Sequence, residues 1–105
     1  MNVLIYTKTK RHRKSSRIWI EGNRLRDAGF GCGQHYEVFH FGDGLLLNVS
    51  DKKKGSWKVS AAQRKGKPRP IIDLGAGVAD IFPEGTPLRI IFTQDEIIIE
   101  RGARP

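Results

Sequence analysis

The chain has 105 residues, 38% of them hydrophobic and 29% charged, with 19 Lys and Arg against 11 Asp and Glu for a net charge of +8. A length of this order supports one packed core and not two independent ones; no apolar run approaches the roughly 20 residues of a membrane-spanning helix, and a single cysteine, Cys32, excludes an intrachain disulfide. The N-terminus lacks the apolar stretch of about 7–15 residues of a signal peptide, so the expectation is a cytoplasmic protein with no membrane partner.

Asn2 to Thr7, NVLIYT, reads as a short strand, and the basic arm KTKRHRKSS that follows has no apolar periodicity and is expected to be mobile. RIWIE from Arg17 alternates as a strand, with Ile18 and Ile20 on one side and Trp19 on the other; Trp19 is expected in the core. NRLRDAGF is a short helix with Asn23 as its cap and Gly31 and Gly33 as its stop. HYEVFHF then places Tyr36, Val38 and His40 on one face, GDG reverses the chain and LLLNVS returns, so residues 34–50 form a hairpin. SWKVSAA is a further strand, in which Trp57 is either a core residue or a stacking surface between lysines, and QRKGKPRP is a loop whose prolines forbid helix. PIIDL, GAGVADIF, PEGTP and the pair LRIIFT and EIIIER repeat the plan as strand, short helix, stop and hairpin around Gln94 and Asp95.

This second passage echoes the first about 52 positions downstream. Phe30 and Phe82 are each followed three residues later by a glycine, Gly33 and Gly85, and Tyr36 and Val38 correspond to Leu88 and Ile90. The chain therefore divides into a basic N-terminal segment 1–16, repeat one 17–50, a basic connector 51–69 and repeat two 70–101. A unit of strand, helix and hairpin leaves sheet edges and one hairpin face uncovered, so the two repeats are expected to pack on each other.

Charge follows a different division. Residues 1–20 contain no acid and six cations, Lys8, Lys10, Arg11, Arg13, Lys14 and Arg17, and residues 52–72 contain no acid and eight, Lys52, Lys53, Lys54, Lys58, Arg64, Lys65, Lys67 and Arg69. Such segments suit a polyanion, because Lys and Arg neutralise phosphates and release counterions without needing a shaped pocket. Together with Arg24 and Arg26 beside the short helix they are the candidate nucleic-acid-binding residues, lining one face or two adjacent ones. Other chemistry finds little to work with. Cys32, His35 and His40 fall short of four tetrahedral ligands, so no metal or other cofactor is expected, and Ser15, Ser16 and His12 lie in an arm with nothing to orient a base, so no enzyme is expected.

The run RIWIEGNRLRDAGFGCGQHYEVFHFGDGLLLNV resembles the SymE-type subgroup of the SpoVT/AbrB swapped-hairpin superfamily at Ile18, Ile20, Gly22, Leu25, Ala28, Gly29, Phe30, Gly33, Tyr36, Val38, Gly44, Leu45 and Leu47. KVSAAQRKGKPRPIIDLGAGVADIF is similar to the segment joining two such units in the N-terminal domain of phage-type cytosine-5 DNA methyltransferases, although no transferase motif is present. The resemblance implies a mainly β fold with short helices, an AbrB-like swapped-hairpin barrel made by two pseudo-repeats in one chain, and a phage or prophage setting. The basic segments, and not the resemblance, point to a nucleic-acid partner, with DNA expected ahead of RNA, and the chain is expected as a monomer or homodimer. Two other activities compete with that expectation: a phage-type inhibitor that blocks a host nucleoprotein or defence complex, and a SymE-like RNA-directed toxin with His12 as its candidate base.

Overall fold

The computed structural model describes residues 3–12, 15–52, 56–75 and 77–105. It is mainly β, with one short α-helix and two antiparallel sheets. In chain order the elements are β1 (Val3–Lys8), β2 (Lys10–His12), β3 (Ser15–Glu21), α1 (Asn23–Asp27), β4 (His35–Phe41), β5 (Gly44–Val49), β6 (Trp57–Lys58), β7 (Ser60–Arg64), β8 (Lys67–Leu74), a 3-10 turn Ala79–Ile81, β9 (Pro87–Thr93) and β10 (Glu96–Arg101). The large sheet has the order β1-β9-β10-β5-β4-β6 and the small one β2-β3-β8-β7.

Both orders read the same from either end once β1, β2, β3, β4 and β5 are matched with β6, β7, β8, β9 and β10. The registers fix where the symmetry lies: Ile20 is the cross-strand partner of Ile72, and Leu46 is the partner of Ile98. Each pair joins positions 52 apart, as residues on a twofold axis must. A pseudo-dyad therefore passes through both sheets. The units also exchange strands, since β1 pairs with β9 and β6 pairs with β4.

Two buried residues make the corners where a strand leaves one sheet for the other. Thr9, between β1 and β2, bonds its N–H to Thr86 O and accepts from Gly85 N, both at 3.0 Å, while Val59, between β6 and β7, bonds to Gln34 O and accepts from Gly33 N, both at 2.9 Å. Gly33 and Gly85 take positive φ, 84° and 81°, at matching places. Between the sheets the core gathers Ile18, Ile20, Leu25, Phe30, Tyr36, Leu45, Leu47, Ile72, Leu74, Phe82, Leu88, Ile90, Ile97 and Ile99, with Phe30 edge-on to Tyr36 at 6.0 Å.

Several local expectations change. The arm expected to be mobile contributes β2, paired with β3 through Lys10↔Arg17, Arg11↔Ser16 and His12↔Ser15, because buried Thr9 anchors its start and Ser16 turns inward. QRKGKPRP is no loop but the end of β7, a two-residue turn and the start of β8. Pro68 and Pro70 precede Ile71, where pairing with β3 begins, so their missing N–H groups leave no bond unmade on that side. Among the described residues of GAGVADIF the helical part is the 3-10 turn Ala79–Ile81, braced by the Asp80 carboxylate, which accepts from Ser16 N at 3.1 Å and Gly77 N at 2.9 Å. Asn23 is the first residue of α1 and Gly22 occupies the cap position without a side-chain bond. Trp19 is only half-buried, and His40 sits exposed at the hairpin end.

Candidate nucleic-acid interface

Alternation on the small sheet turns Ile18, Ile20, Ile72 and Leu74 inward, and so directs Arg17, Trp19, Glu21, Arg69 and Asp73 outward. Across the outer β2–β3 and β7–β8 pairs, cations stand opposite cations: Lys10 faces Arg17 and Arg64 faces Lys67. Like charges directly opposite one another destabilise a sheet. Lys65 adds a second cost, since it has φ of 53° in the turn before Gly66, at 78°, a type I′ geometry that favours Asn, Asp or Gly. A lysine stands there against the local preference.

The small sheet also carries the acids that temper this charge. Asp73 accepts from Arg17 Nε and Nη2 at 2.8 and 2.9 Å, raising the arginine further above its usual range, and the Arg17 guanidinium lies 4.5 Å from the centre of the Trp19 ring. Glu21 accepts from Arg64 Nε at 3.0 Å, from Arg64 Nη2 at 3.2 Å and from Trp19 Nε1 at 3.1 Å, with Arg69 Nε at 3.4 Å. These contacts, the Arg64 bond foremost, hold the Glu21 carboxyl below the usual carboxylate range. Arginines thus cross-brace the outer surface. Among the described residues Lys8, Lys10, Lys52, Lys58, Lys65 and Lys67 form no ion pair, and all six are exposed.

Placement of the sequence candidates is uneven. Lys8 ends β1 next to the Thr9 corner and Lys58 ends β6 next to the Val59 corner, so these two are equivalent under the pseudo-dyad. Lys10, Arg11 and Arg17 lie on the β2–β3 pair, Arg64, Lys65, Lys67 and Arg69 on the β7–β8 pair, and Lys52 in the segment after β5. Arg24 and Arg26 are exposed on α1, Arg26 beside Asp27 at 3.5 Å. Arg13, Lys14, Lys53 and Lys54 lie outside the described residues. The two basic hairpins do not merge into one patch. By the β3–β8 register they leave opposite ends of the small sheet, roughly 30 Å apart at about 3.3 Å per residue.

Sequence reading missed Glu21 and Asp73 as partners of the basic face, because a charge count along the chain sees segments and not cross-strand neighbours. It left open the place of Trp57, which is exposed and stacked on Tyr36, 6.5 Å between ring centres and 26° between planes. Among the described residues no three His, Cys, Asp or Glu side chains gather as a metal site, and no helix is long and apolar enough to cross a membrane. No family model matches the chain, and neither a curated protein nor a solved structure matches it.

Proposed function

We infer that the protein is a nucleic-acid-binding module of phage or prophage type, built as an AbrB-like swapped-hairpin barrel and acting on duplex DNA without catalysis. The observation that carries this reading is the presence of cations where the fold disfavours them: Lys10 opposite Arg17, Arg64 opposite Lys67, and Lys65 in a left-handed turn. Palindromic strand orders, exchanged strands and matched corners support the swapped-hairpin architecture. Two basic hairpins about 30 Å apart on either side of a dyad suit a duplex, whose backbone presents equivalent positions about 34 Å apart, one helical turn. The phosphate contacts of the hairpins position the protein, and their affinity comes from counterion release.

Fluorescence anisotropy with a labelled 30-base-pair duplex over a series of salt concentrations tests the reading. Parent affinity is expected to fall steeply with salt, and Lys65→Glu with Lys67→Glu to weaken binding at least tenfold and flatten the dependence by about two phosphate contacts. An unchanged slope in the double variant would sink the assignment. Tighter binding to single-stranded RNA than to the duplex would redirect it.

A further inference from the structure

The corner at Thr9 carries two clefts that meet at Lys10. One, of about 220 Å³, is lined by Lys10, Arg11, Arg17 and Trp19. The other, of about 400 Å³, has Tyr6, Lys8, Lys10 and Arg104 in its walls. The C-terminal segment builds this second cleft: Gly102 N donates to Pro87 O at 3.1 Å, and Arg104 reaches β1 with its guanidinium 5.6 Å from the centre of the Tyr6 ring. The first cleft has the same pairing of guanidinium and ring, Arg17 over Trp19 at 4.5 Å. Arg17 is already engaged by Asp73 through Nε and Nη2. Among the described residues no acidic side chain lines either cleft, and Lys8, Lys10 and Arg104 form no ion pair.

Cations alone would suit any polyanion; the rings narrow the choice. A base stacks on an indole, a phenol or a guanidinium plane. The bases of a duplex are stacked on one another and present only their edges in the grooves, so a duplex makes no use of such plates. Symmetry separates the two ligands further. By the strand registers the second unit has Ala62 and Ile71 where the first has Lys10 and Trp19. The lysine and the indole that define the clefts therefore belong to one corner, and they suit a strand that has no dyad of its own.

We propose that the Thr9 corner is a binding site for unpaired nucleotides, in which Lys8, Lys10 and Arg104 hold successive phosphates and bases stack on Trp19 with Arg17 and on Tyr6 with Arg104. This rests on the nucleic-acid reading above and adds to it a contact with a strand whose bases are open. Two plates, one on each side of Lys10, take about two bases, and each stacked base contributes about tenfold in affinity. The phosphate contacts make the binding salt-dependent, while the stacking is tolerant of sequence.

Short oligomers test this in a Trp57→Phe chain, where Trp19 is the one remaining tryptophan. The probes are a thymidine hexanucleotide and a hexamer of abasic deoxyribose phosphates of the same charge. The thymidine strand is expected to bind about tenfold more tightly and to quench Trp19, and the abasic strand to leave the emission unchanged. Trp19→Leu with Tyr6→Leu should bring the two affinities together. Arg104→Ala, in the exposed C-terminal segment and so without consequence for folding, should narrow the ratio severalfold. A uridine ribohexamer bound more tightly still supports the site and names its strand as RNA. Equal affinity for the two deoxyribose hexamers, or an acidic hexapeptide bound as tightly as the thymidine strand, overturns the proposal. A chain that fails in this way yet binds blunt duplex keeps the duplex function and loses this site; one that binds the hexamer and not the duplex does the reverse, and one that binds neither loses both.

Discussion

Compared position by position, the two units agree through much of the core and differ at the Thr9 and Val59 corners, at Tyr36 against Leu88, and at the surface. Ile20 and Ile72, Phe30 and Phe82, Leu45 and Ile97, and Leu47 and Ile99 are matched, apolar and buried, whereas Trp57 is exposed where its match is Thr7. A side chain that must fill the same space on both sides of a dyad has few alternatives in a close-packed interior. Surface positions have no such restriction, so the halves are free to differ there, and the agreement inside points to stability.

The largest test of that comparison is removal of the matched aromatics. Phe30→Ala and Phe82→Ala each vacate a fully buried site, and each is expected to cost about 3–5 kcal/mol in chemical denaturation, much of the total stability of a domain this small. The two costs should agree within about 1 kcal/mol, allowing for how well each site relaxes. A Phe82 variant that lost only a fraction of what the Phe30 variant lost would show that the halves do not share the core equally.

A smaller effect of opposite sign separates stability from binding at one residue. Among the described residues the other non-glycine position with positive φ is Asp95, at 65°, a residue type that tolerates this region better than lysine does. Lys65→Asn is expected to raise stability by about 0.5–1 kcal/mol and to weaken duplex binding severalfold at low salt. If stability rises and affinity does not fall, the lysine serves some purpose other than phosphate contact.

How far the sequence discloses this molecule depends on whether a feature is local. The hairpins 34–50 and 87–101 were legible because alternation and a polar turn, Gly-Asp-Gly in one and Gln94-Asp95 in the other, lie within about fifteen residues, and the Phe-x-x-Gly echo disclosed a duplication since each glycine takes the positive φ its turn requires. β2 and the β7–β8 hairpin were not, since Lys10–His12 and Gln63–Lys67 have no apolar rhythm and become strands only through corners made with distant residues, Thr9 with Thr86 and Val59 with Gln34. The candidate surface was legible as a sum of charge and not as a shape: which cations are neutralised depends on Glu21 lying 43 positions from Arg64 and Asp73 lying 56 from Arg17.

The subtlest contrast between the halves is how each closes its short helical segment. Unit one uses backbone bonds, with Ala28 N donating to Arg24 O at 3.1 Å and Leu25 O at 3.2 Å. At the matching position unit two has Asp80, whose carboxylate takes the N–H groups of Ser16 and Gly77 and is held below the usual carboxylate range, the Gly77 bond contributing most. A carboxyl depressed in the folded state contributes stability that is full above its unfolded value, about 3.9, and is lost as pH falls through the lower folded value. Asp80→Asn should therefore lower the urea midpoint at pH 7, and the gap from the parent should close as pH falls below about 4. A gap that stays constant from pH 7 to pH 2.5 would mean that the brace acts through shape and not through charge. In that case the second unit would be closed as the first is, by geometry alone.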